Sequence, residues 1–117
     1  MENEVLLKTI VNAAADIKPV DPVVIDLENT SPFTDYIFVC HGTSSVHVKG
    51  IMENIEKELK KCKVLPIGVE GRSEGIWVLM DYNSVLVHLF TEEFRDHYDI
   101  EGLYSNFTRK VLETNGE

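Results

Sequence analysis

Basic residues are scarce in this chain: eleven Lys and Arg stand against twenty Asp and Glu, a formal net charge of −9. Nucleic-acid affinity comes mainly from neutralising phosphates with Lys and Arg, so little direct contact with RNA or DNA is expected. A basic protein surface is the better partner, because complementary charge steers encounter and disfavours wrong docking. The same acids also confer solubility. Cysteine is nearly absent. Cys40 ends an apolar run and Cys62 ends a helical pattern, so both are expected as reduced, packed thiols rather than as a disulfide or a nucleophile. No apolar run approaches the ~20 residues needed to span a bilayer. The opening Met1-Glu2-Asn3-Glu4 is acidic where a targeting segment is basic. A cytoplasmic protein without membrane contact is expected. There is no repeat, linker or low-complexity tract, and 117 residues suit one domain closing a single core.

The apolar residues that are present fall into readable periods. Leu7, Ile10, Val11 and Ala14 recur at helical spacing and predict an amphipathic helix that stops before Pro19. Pro22 to Glu28 reads as a strand led by its proline, and Asp35 to His41 as a second, apolar throughout and central. Gly42-Thr43-Ser44-Ser45 offers hydroxyl caps to the helix carried by Val48, Ile51, Met52, Ile55, Leu59 and Cys62. Leu65 to Glu70 predicts a third strand, its proline marking an edge or a start. Two apolar strands follow, around Trp77 and His88, joined by a polar turn. Glu92 to Tyr98 is a short helix. The pattern implies an α/β fold with a mixed sheet of about five strands flanked by helices. The long helix between Cys40 and Leu65 is the kind of crossover that parallel neighbours need. A single domain is expected over residues 1–104, with 105–117 an unassigned tail.

Candidates for chemistry are thin. Gly42 to Ser45 resembles an anion cradle but has one glycine and no Walker lysine, so an ordinary helix cap is the simpler reading. Asp26 and Glu28 share one face of a strand, as two-metal nucleotidyltransfer needs. They precede the Gly-Ser loop, however, and no second carboxylate pair follows the helix. His41 and His47 are too loosely spaced for a zinc signature. No nucleophile–base pair is apparent, and no catalytic residue, metal site or cofactor emerges.

The hairpin Gly75 to Phe90 stands out because both of its faces are apolar, where a half-buried sheet alternates apolar with polar. Either helices cover both faces, or one face is kept for a partner. Trp77, Leu79 and Asp81 share one side, with Asp81 marking it as the wetter, while Ile76, Val78 and Met80 share the other. Aromatic anchors dominate interface energetics, although a lone tryptophan is as readily a core residue. Glu70, Glu74, Asp81, Glu92, Glu93 and Asp96 supply an acidic rim. The stretch Glu92 to Glu101 contains one base, Arg95.

Thr34-Asp35-Tyr36, His41 to Val48, Gly68-Val69-Glu70-Gly71, Trp77 to Tyr82 and Val87 to Phe90, in that order, resemble the ribosomal silencing factors, or Iojap family, from about Leu6 to Tyr104. The resemblance implies a nucleotidyltransferase-like fold without its catalytic carboxylates. It implies a non-enzymatic protein that binds protein fourteen of the large ribosomal subunit, blocks subunit joining and represses translation under nutrient limitation. The implied contact residues are Trp77, Leu79, Asp81, Tyr82 and His88, with Glu70 and Phe90 behind them. Asn83 replaces the family's usual Gly and tolerates the left-handed conformation that a turn there requires. Two alternatives stand beside this reading. One is a nucleotide-binding enzyme related to nucleotidyltransferases, using Gly42, Ser44, Asp26 and Glu28. The other is a homodimer that buries the hairpin on itself.

Overall fold

Helical and strand periods sort the apolar side chains into two sets, and the folded chain keeps those sets on opposite faces of one sheet. A computed structural model describes residues 2–104 and the backbone of 108–110; Met1 and, in the tail, 105–107 and 111–117 lie outside the described residues. The order is α1 (Asn3–Ala15), β1 (Val20–Asp26), β2 (Tyr36–Gly42), α2 (Ser45–Lys61), β3 (Gly68–Glu70), β4 (Trp77–Asp81), β5 (Val85–Thr91), α3 (Glu92–Tyr98), α4 (Ile100–Leu103) and β6 (Thr108–Lys110). The strands form one mixed sheet ordered β3-β4-β5-β2-β1-β6. Five strands come from the expected domain, and the sixth comes from the segment whose sequence carries no clear pattern.

β2 is buried at every position because both faces of the sheet are covered there. Tyr36, Phe38 and Cys40 point into the larger core, formed with Leu7, Ile10 and Val11 of α1 and Ile51, Ile55 and Leu59 of α2. Ile37 and Val39 point the other way, into a smaller cluster with Ile25, Leu27 and Phe90. A strand wrapped on both sides reads as a continuous apolar run, which is why alternation is missing from its sequence.

The crossover differs from expectation. β2 is parallel to β5, while α2 leads to β3 at the far edge. β3 does run in the sense of β2, but β4 and β5 fill the space between them. The turn at residues 82–84 forces β5 antiparallel to β4 and delivers it beside β2. Asn83 in that turn has φ 71°, as its tolerance of left-handed backbone allows. Cys40 is buried as expected, whereas Cys62 is exposed because it caps the C-terminus of α2 beyond the last buried turn.

The loop before α2 is a cap. The Ser44 hydroxyl accepts from the His47 amide at 3.1 Å. His47 Nδ1 accepts from the Thr43 amide at 2.9 Å, which leaves Nε2 to donate to the Ile17 carbonyl at 2.7 Å. One imidazole thus ties the start of α2 to the end of α1. Ser44→Ala is expected to cost about 1 kcal/mol and lower Tm by about 4 °C. Chemical denaturation reads this directly, and an unchanged midpoint would show that the hydroxyl does not cap the helix.

Candidate functional site

The registers of β3, β4 and β5 bring the hairpin residues together. Trp77 pairs with Phe90 and Leu79 with His88, while Glu70 pairs with Leu79. Paired residues point to the same side of a sheet, so Trp77, Leu79, Asp81, His88, Phe90 and Glu70 share the face opposite α1 and α2. Val78 and Met80 point back into the larger core. The split of the strand into a helix-facing and a wetter side is as the alternation implies: Trp77, Leu79 and Asp81 are half-buried, Val78 and Met80 fully buried.

The face is layered. Phe90 and His88, 0% and 8% exposed, form its floor. The Trp77 indole stacks on Phe90 with ring centres 5.4 Å apart, and its Nε1 donates to His88 Nδ1 at 3.1 Å. An indole is only a donor, so His88 must keep Nδ1 unprotonated and carry its hydrogen on Nε2. Burial enforces the same state, lowering the His88 pKa from 6.5 to about 4. Tyr98, at the end of α3, packs against the indole with centroids 4.4 Å apart and ring planes tilted by 38°, also contacts Phe90, and is itself 42% exposed. Phe94, one turn earlier, stacks beside it. Behind Trp77, Gly71 adopts φ +79°, and a Cβ there would sit 1.9 Å from the Trp77 carbonyl, so only glycine lets the loop pass.

Glu70 of β3, Glu74 in the loop before β4 and Glu92, Glu93 and Asp96 of α3 are exposed, and Asp81 is half-buried. Asp81 also accepts from the Asn83 amide at 2.8 Å, fixing the turn. Arg95 does not join this surface. It is buried under α3, donating to Glu101 at 2.8 Å, His41 Nδ1 at 3.0 Å and the Val20 carbonyl at 3.2 Å. Those bonds anchor α3 to the ends of β1 and β2.

Tyr82 is a correction. It is 5% exposed and packs in the larger core, not on the Trp77 face, because its position shares the parity of Val78 and Met80. Its hydroxyl has no hydrogen-bond partner among the described residues, and burial pushes its pKa up to about 12. His88 and Phe90 are on the predicted face but beneath its surface. Phe94 and Tyr98 join this face unexpectedly: their four-residue spacing marks one side of a short helix, but the acids between them mask it in the sequence.

Asp26 ends β1 and Glu28 lies in the turn beyond it, so the two do not share a strand face, and both have structural work. Asp26 Oδ1 accepts from the Glu28 amide at 2.9 Å, and Glu28 Oε1 accepts from the Tyr36 hydroxyl at 2.6 Å. Among the described residues no group of three or more His, Cys, Asp and Glu is placed to hold a metal ion. No described helix is long and apolar enough to cross a membrane.

The fold and this face define a small α/β domain with a two-sided mixed sheet, one side thickly roofed by helices and the other presenting a thin aromatic layer. The model of the family "Ribosomal silencing factor during starvation" matches residues 1–116, and the chain belongs to that family. It is 31% identical over 113 residues to a ribosomal silencing factor of Halalkalibacterium halodurans, covering 97% of each chain. It is 34% identical over 104 residues to the ribosomal silencing factor of Chromobacterium violaceum, covering 89% of this chain and 85% of that one. A crystal structure of a Chromobacterium violaceum protein superposes with a TM-score of 0.86 at 33% identity, covering 90% of this chain and 88% of that one.

Two outcomes test the geometry. The unfolded chain binds at His88 a proton that the folded chain refuses. The stability this site contributes is therefore complete above the ordinary pKa of 6.5 and is lost as pH falls toward about 4, on the order of 3 kcal/mol in all. The His88 ring should titrate near pH 4 by NMR; a midpoint near 6.5 would mean the ring is solvated. Tyr82→Phe removes a buried, unpartnered hydroxyl and should raise stability by about 1 kcal/mol in urea denaturation, whereas a loss would reveal a hydrogen bond.

Proposed function

We propose that this protein is a cytoplasmic, non-enzymatic silencing factor that binds the large ribosomal subunit through its protein fourteen. Seated on the face where the small subunit docks, it blocks subunit joining and represses translation when nutrients are short. Membership of the ribosomal silencing factor family supports the target and the outcome. The observation that supports the mode of binding is the Trp77 face: an aromatic layer half open to solvent, with Glu74 beside Trp77, Glu70 paired with Leu79, and Glu93 and Asp96 exposed on α3. Large rigid rings supply contact area at low entropic cost, and the acids repel acidic partners while steering a basic one. Leu79 and Asp81 extend the contact along β4, and His88 and Phe90 hold Trp77 in position from below. Steric exclusion requires no bond chemistry.

Co-sedimentation with isolated large subunits tests the assignment. Trp77→Ala is expected to weaken binding by about 2 kcal/mol, roughly thirtyfold. Asp81→Lys should also weaken it, and the affinity of the wild type should fall as salt rises, because rim charges are screened. Both variants binding as well as wild type would mean that another surface makes the contact.

A further inference from the structure

Between β4 and α3 the aromatic layer is interrupted by a cleft of about 300 Å³, lined by Gly71, Glu74, Ile76, Trp77, Phe94 and Tyr98. Its walls are apolar and aromatic. Among these described lining residues, one is acidic and none is basic. The cations nearest in sequence are committed elsewhere: Arg72 forms two hydrogen bonds to Glu56, at 2.6 and 2.7 Å, and Arg95 is tied to Glu101 at 2.8 Å beneath α3. Lys49 rests its stem against Gly75 and is not part of the lining. Glu74 therefore stands exposed at the cleft with no ion pair among the described residues. The cleft is open to solvent and has room for a long side chain to enter from outside.

We infer that this cleft is the socket for a single arginine side chain of the basic protein partner; the identity of that partner rests on the proposed function, while the socket's chemistry does not. The apolar stem of an arginine packs along Ile76 and the edge of Trp77. Its planar guanidinium meets the Phe94 and Tyr98 rings and presents parallel N–H donors to the Glu74 carboxylate, a geometry that a lysine ammonium cannot match. Glu74, Phe94 and Tyr98 thus select the partner, alongside the contacts along β4. Arg95 anchors the helix that carries Phe94 and Tyr98 to the Val20 carbonyl and His41.

The chain has a single tryptophan, so its emission reports this cleft without interference. The full chain is titrated with a Lys-Arg-Lys peptide, blocked at both ends, and with its Lys-citrulline-Lys counterpart, which keeps the shape and removes the charge. The arginine peptide is expected to give a saturable change and to bind about tenfold more tightly than the citrulline peptide. Glu74→Gln should abolish that discrimination. Glu4→Gln, on α1 across the sheet, should retain it and so separates a socket from general acidity. Equal binding of the two peptides, persistent discrimination in Glu74→Gln, or no saturable response to the arginine peptide would each overturn the socket. Wild-type co-sedimentation with large subunits is scored in parallel. Discrimination without co-sedimentation would leave the socket standing and remove the ribosomal reading; co-sedimentation without discrimination would do the reverse.

Discussion

The indole of Trp77 is held by three neighbours of different kinds, and the architecture of the exposed face follows from satisfying all of them. Phe90 and Tyr98, themselves in ring contact, both pack against it, and His88 accepts the N–H. The hydrogen bond requires a neutral imidazole with a free Nδ1, and desolvation keeps the ring neutral at mildly acidic pH. Desolvation in turn needs β5 to lie in the middle of the sheet. That position exists because α2 carries the chain two strands away before the hairpin returns. A crossover on one side of the sheet thus sets the protonation state of a ring on the other.

The elements of the fold were legible wherever one period dominated. α2 shows its apolar stripe and its cap in the same stretch, and β2 shows an unbroken apolar run because both of its sides are covered. The sheet order was not legible, since β3, β4 and β5 carry no signal that says which of them lies beside β2; the tight turn at Asn83 decides it. β6 was invisible because a three-residue edge strand is defined by its pairing with β1, not by its own side chains.

On the exposed face, Trp77, Leu79 and Asp81 follow from parity alone. The same parity argues against Tyr82, which the family resemblance favoured, and parity prevailed: the ring lies in the larger core. Phe94, Tyr98 and the buried Arg95 were hidden for another reason. Their helix is short and acid-rich, and its composition gives no hint that one cation turns inward to a histidine fifty-four positions away. Charge counts describe what a segment contains, whereas the direction each side chain takes depends on what lies beneath it.

Arg95 reaches the carbonyl of Val20 and the ring of His41, so the roof over the tryptophan is bolted to the beginning of one strand and the end of the next. Those two points sit at the rear of the sheet's wiring, remote in sequence from the hairpin. A change at His41 accordingly reaches the helix that carries Phe94 and Tyr98 through Arg95, although the two lie far apart in sequence.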